Sequence, residues 1–97
     1  MKSVFISYNQ ALTDPVNAIM DRLHIRGYTK VETVHGRGSF TGEPHMGKHT
    51  WPAMNSAIIT IVNDDKVRPL LDALRKLDSR TEMQGLRAFV WNIEDQL

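Results

Sequence analysis

Three histidines and a carboxylate crowd one stretch of the chain: His35, Glu43, His45 and His49 all fall between residues 35 and 52. Neutral imidazole is a common ligand for divalent transition metals such as zinc, copper and nickel, and a carboxylate could complete such a set. The i, i+4 spacing of His45 and His49 would align them on one helical face, but Pro44 and Gly47 oppose a regular helix there. The same residues also suit a polar loop that touches a protein partner, so metal binding and partner binding both stay open. At the start of the stretch, Gly36-Arg37-Gly38 joins bare backbone amides to a guanidinium, a combination able to approach a phosphate. A tight turn with an exposed arginine accounts for these three residues equally well. His24 reads as a polar residue closing a helix, and Trp91 as a core or interface aromatic rather than a ligand platform.

Several chemistries are closed off by composition. The 97 residues contain no cysteine, which excludes disulfides, thiolate zinc sites and a cysteine nucleophile. Twelve basic and eleven acidic residues give a formal net charge of +1, so the chain lacks the electrostatic footprint of a nucleic-acid binder. The opening Met1 to Tyr8 is too short and polar for a secretory signal, and no apolar run approaches membrane-spanning length. The expectation is a cytoplasmic protein with no membrane insertion. No paired carboxylates or Ser/His arrangement stands at a recognisable spacing, which argues against an enzyme.

The elements that must position these groups are legible from periodicity. Val4, Ile6 and Tyr8 alternate with Phe5 and Ser7, as in a strand buried on one face. Asp14-Pro15 reads as N-cap and first residue of a helix with Val16, Ile19, Met20 and Leu23 on one stripe. Gly27 is the expected left-handed stop. Tyr28 to His35 reads as a second, more polar strand, and Ala57 to Val62 as a central, β-branched one. Asn63-Asp64-Asp65 offers caps for a second helix with Val67, Leu70, Leu71, Leu74 and Leu77 on one face, in which Pro69 is tolerable only near the first turn. Ser79 to Gly85 is a polar connection, and Leu86 to Ile93 a final strand.

The resulting order, βαββαβ, is that of a single α+β domain spanning residues 1–97, a ferredoxin-like sandwich with a four-stranded antiparallel sheet and two helices on one face. That architecture hosts many functions. Acylphosphatases share it but carry an arginine in the loop after the first strand, where this chain has Asn9 to Thr13. RNA-binding sheets need exposed aromatics with basic neighbours on the central strands, which Ala57 to Val62 lacks. The connection between the second and third strands is about twenty residues, against the usual hairpin length of about 2–5. A segment of that length either contributes something or is disordered, and its two aromatics argue against a pure linker.

The layout resembles the PII signalling family and its PII-like relatives over nearly the whole chain. The resemblance is carried by the Met-Lys start, by a helix ending Ile25-Arg26-Gly27, and by Tyr28-Thr29-Lys30-Val31-Glu32-Thr33-Val34 with the Gly36-Arg37 step. It continues through the long loop, the strand Ala57 to Val62, Asn63-Asp64-Asp65 and the last strand Arg87-Ala88-Phe89-Val90-Trp91. It implies a homotrimer that binds an adenine nucleotide or another small effector in clefts between subunits. It also implies a T-loop, at about residues 36–54, that acts on a transporter, enzyme or regulator. Carried over, Gly36, Arg37 and Gly38 lie at the loop base, and Gly85 and Arg87 correspond to the glycine and lysine of the family's second nucleotide-binding loop. In place of that glycine-rich loop the chain has Ser79-Arg80-Thr81-Glu82-Met83-Gln84, and its long loop lacks the family's modifiable tyrosine. The CutA metal-tolerance family has a related architecture, which ties the histidine cluster to a metal-responsive alternative.

Overall fold

The computed structural model describes residues 1–35, 54–81 and 84–97. Its organising element is strand β1 (Lys2–Asn9), whose Val4, Ile6 and Tyr8 are fully buried. β1 is paired on both sides, antiparallel to β3 (Asn55–Val62) and antiparallel to β4 (Arg87–Asn92). β2 (Tyr28–Val34) pairs antiparallel with the far side of β3, giving the order β2-β3-β1-β4. Val16, Ile19 and Met20 of α1 (Thr13–Arg22) and Leu70, Leu74 and Leu77 of α2 (Asp64–Arg80) join Val4, Ile6 and Tyr8 in one core, so both helices cover the same face. This is the expected α+β sandwich. At one end of the sheet Lys2 lies opposite Val62 and Asn92, and the Ile93 amide donates to the Met1 carbonyl at 3.3 Å. At the other end Asn9 lies opposite Asn55 and Val34 beside it.

Local chemistry departs from the sequence reading at four places. α1 begins one residue earlier than Asp14 and is preceded by a 3-10 turn, Gln10–Leu12, capped by Asn9 Oδ1 accepting from the Ala11 amide at 2.8 Å. Asp14 therefore sits in the first turn rather than at the cap, and Pro15 is the third helical residue, where an amide hydrogen has no intrahelical partner anyway. The left-handed stop is His24, at φ 58°, not Gly27. The Ile25 amide donates to Met20 O at 2.9 Å and the His24 amide to Asp21 O at 3.0 Å, the paired bonds of a Schellman motif. Burial of Ile25 holds the turn in place. The stop thus follows where the apolar residue after the helix must land, and it overrides the preference of the nearby glycine.

Pro69 is the sixth residue of α2, beyond the first turn, and it is exposed. A proline here removes the amide that would donate to the Asp65 carbonyl, and Asp65 is itself exposed. α2 also runs through Ser79 and Arg80, which the sequence assigns to a connection. Trp91 is not a core residue: it stands on the uncovered face of the sheet, 49% exposed.

The helix stop generates a pair of expected outcomes. His24→Gly relieves a left-handed residue that costs roughly 1–2 kcal/mol, offset by glycine's unfolded-state entropy, for a net gain of about 0.5–1 kcal/mol. Gly27→Ala has open space for its Cβ and is neutral or stabilising by about 0.4–1 kcal/mol. Urea denaturation of both variants checks this. Strong destabilisation by Gly27→Ala would return the stop to residue 27.

Candidate functional site

The register gathers the ends of all four strands that flank the long connection. β2 leaves the sheet at Val34 and His35, and β3 enters at Asn55, beside the end of β1 at Asn9. Arg87 opens β4 opposite Ser7, close to this same end. The end of β2 at His35 and the Gly85–Arg87 turn therefore share one end of the sheet. They occupy opposite edges, three strand spacings apart, or about 14 Å. Gly85 has φ 71°, a left-handed conformation that favours glycine at this turn whatever its ligand role. Arg87 is exposed, with Nη1 donating to Leu86 O at 2.8 Å. His35 is exposed just past β2. Gly36, Arg37, Gly38, Glu43, His45 and His49 lie outside the described residues. Among the described residues no group of three or more His, Asp or Glu is placed to hold a metal.

The stems of the connection carry a polar arrangement that the sequence did not announce. Val31 pairs with Ala57 and Val34 with Asn55, so three steps along β2 match two along β3 and the strand bulges at Glu32–Thr33. The Glu32 carbonyl at the bulge accepts from Gln10 Nε2 at 2.7 Å and from Ser56 Oγ at 2.6 Å. Gln10 Nε2 also lies 3.4 Å from Thr33 Oγ1, and the Gln10 amide donates to Met54 O at 2.7 Å. One residue thus holds both stems.

Beneath these contacts Tyr8 is fully buried, and among the described residues its hydroxyl has no hydrogen-bond partner. The Ser56 and Thr13 hydroxyls, which act on the phenol, direct their own protons elsewhere, to Glu32 O and to Gln10 O at 2.7 Å. Burial, then the Glu32 carboxylate and Tyr28, raise the Tyr8 phenol above its ordinary pKa, outweighing the two hydroxyls. Neither Tyr8 nor Gln10 is distinguishable by residue type or spacing alone, because their roles appear only once the bulge and the 3-10 turn exist.

Among the described residues two clefts are formed elsewhere. One, of about 270 Å³, lies at the far end of the sheet between the α1–β2 turn and the start of α2, lined by Ile25, Arg26, Gly27, Ile61, Asn63 and Lys66 among others. Lys66 Nζ donates to Leu23 O at 2.6 Å and braces that turn. The other, of about 140 Å³, lies between α2 and β4. Both fall below the roughly 300–1,000 Å³ of a site that encloses a nucleotide-sized ligand.

An α+β sandwich with its loop base and second turn at one sheet end defines a ferredoxin-like domain that presents a long β2–β3 connection. The chain belongs to the Nitrogen regulatory protein P-II family, a family of signalling proteins, whose sequence profile matches residues 1–97. Among curated proteins none matches it. Solved structures of CPII, a nitrogen regulatory PII-like protein from Thiomonas intermedia K12, are similar. The form bound to ADP, AMP and bicarbonate aligns with a TM-score of 0.78 at 23% identity, over 95% of this chain and 84% of that one. The form bound to ADP and bicarbonate gives 0.74 at 25% identity, again over 95% and 84%. The apo form gives 0.73 at 23%, over 95% and 87%.

The orphaned phenol yields a test of its own. Leaving a buried donor unsatisfied costs about 1–3 kcal/mol, so Tyr8→Phe is expected to raise stability to urea by about 1 kcal/mol. Because the fold raises the Tyr8 pKa, its protonated form contributes stability in full below pH 10. That contribution is lost as pH climbs from 10 through the raised folded value. Tyr8→Phe should accordingly flatten the alkaline decline. A marked loss of stability in Tyr8→Phe would reveal a partner for the hydroxyl.

Proposed function

We propose that this chain is a PII-like regulator that binds an adenine nucleotide in clefts between copies of itself and acts on a protein partner through residues 36–54. The observation that carries the reading is the likeness, over 95% of the chain, to CPII in its forms bound to ADP, AMP and bicarbonate. In this reading Gly36, Arg37 and Gly38 approach phosphate at the loop base, and Gly85 and Arg87 contribute from the second turn. The small volume of the clefts among the described residues is in keeping with a site that a second chain completes. The metal-responsive alternative has only His35 of its proposed ligands among the described residues.

The assembly is read as a homotrimer closed through the uncovered face of the sheet. On that face Ile61 and Trp91 flank Ser3, and Ile59 and Phe89 flank Phe5, as adjacent cross-strand rows. Phe89 is 58% exposed and Trp91 49%. A contiguous apolar area of this kind is rare on a lone soluble domain and typical of an interface. The third row, Ala57-Ser7-Arg87, turns polar toward the loop end, which places Arg87 at the margin of that interface.

Two outcomes are expected. ADP and AMP, tested with and without bicarbonate, raise the melting temperature by mass action. Arg87→Ala and Arg37→Ala each lower ADP affinity by about tenfold, the worth of a charge-assisted hydrogen bond to phosphate. Indifference of the wild type to every nucleotide would remove the effector from this reading. Separately, light scattering should show a trimer, and Phe89→Glu combined with Trp91→Glu should yield a folded monomer or a smaller assembly. A trimer that survives both charges would exclude the sheet face as its interface.

A further inference from the structure

Gln10 occupies a place that none of the preceding roles explains. Its backbone is fixed on both sides. The amide donates to Met54 O at 2.7 Å, while its carbonyl accepts from the Thr13 amide, which closes the 3-10 turn, and from Thr13 Oγ1 at 2.7 Å. From that fixed base the side chain crosses to β2 and donates to the Glu32 carbonyl at 2.7 Å. The carbonyl is available because three residue steps on β2 face two on β3 between the Val31–Ala57 and Val34–Asn55 pairs. Ser56, buried at 1% exposure, supplies the second donor to the same oxygen. A bulge re-aims the residues that follow it, and here two side chains secure the bulged peptide.

We propose that Gln10, with Ser56 as its partner on the Glu32 carbonyl, is a positioning residue. It fixes the direction in which the chain leaves the sheet at His35 and the separation at which it returns at Met54. Gln10 touches both stems and also the first turn of α1, so it ties the aim of the long connection to the body of the domain. A group held within a few tenths of an ångström by its supporting shell binds better than one left free. The benefit to a ligand gripped near residues 36–38 rests on the functional reading above, whereas the hold on the stems does not.

The test compares wild type, Gln10→Glu, Ser56→Ala and the double variant. Gln10→Glu keeps the shape of the side chain and removes its N–H donors. Amide hydrogen exchange at Thr33, Val34 and His35 should accelerate about five- to tenfold in Gln10→Glu, the equilibrium worth of one hydrogen bond. Exchange at Ile6 and Ile58, deep in the sheet, should stay unchanged. The double variant should exceed the product of the single effects, because the two donors share one acceptor. ADP affinity should fall about fivefold in Gln10→Glu with little change in melting temperature, a separation that a merely structural residue would not produce. Unchanged exchange at residues 33–35 overturns the proposal, as does acceleration spread evenly over the sheet. Altered exchange with unaltered ADP affinity overturns the positioning role and leaves only a structural clasp. If wild type binds no ADP, the functional reading falls, and the exchange pattern alone upholds or overturns the hold on the stems.

Discussion

Everything in this domain is referred to the central strand. β1 is paired on one side to β3 and on the other to β4, and it sends three fully buried side chains, Val4, Ile6 and Tyr8, into the core shared with both helices. Its period of two sorts the molecule into a dry layer under the helices and an open face across the sheet. A shift of register by one residue would exchange those layers, placing Phe5 and Ser7 in the core and Tyr8 outside. The alternation in β1 therefore fixes which face the helices cover, which residues remain for association, and which strand ends meet beside the long connection.

Much of this was legible in the sequence because burial on one face writes a periodic pattern. The alternation of β1, the stripe Val16-Ile19-Met20 and the β-branched run of β3 each predicted an element that the structure contains. What was not legible depended on competition between nearby residues. Gly27 carries the stronger left-handed preference, yet His24 adopts that conformation because Ile25 has to reach the core one residue later. Asp14 is a good cap, but Asn9 and the 3-10 turn start the chain into α1 earlier. By type Trp91 could be a core or an interface aromatic, and only its parity relative to Val90 and Ala88 assigns it to the open face.

The site divides along the same line. Gly85 and Arg87 lie toward the end of the sheet at which β2 ends, as strand order alone dictates. The bulge at Glu32–Thr33 leaves no trace in hydropathy, because β2 is an edge strand with exposed residues along most of its length. With the bulge invisible, so were its two donors. Tyr8 was assigned to the core by its spacing, as it should be, but the fate of its hydroxyl depends on how Ser56 and Thr13 spend their protons.

The meeting of Lys2, Asn92 and the Met1–Ile93 backbone bond at one end of the sheet has a mechanical meaning. The seven steps from Lys2 to Asn9 span roughly 23 Å at about 3.3 Å each, so both entry and exit of the domain lie that far from the stems at His35 and Met54. A tether, fused partner or surface attached at either end pulls from the side of the molecule turned away from those stems. Tension applied between either end and those stems runs along the strands in shear, the direction in which antiparallel ladders share load across many hydrogen bonds at once. The stems at His35 and Met54 thus lie clear of the end at which such a load enters.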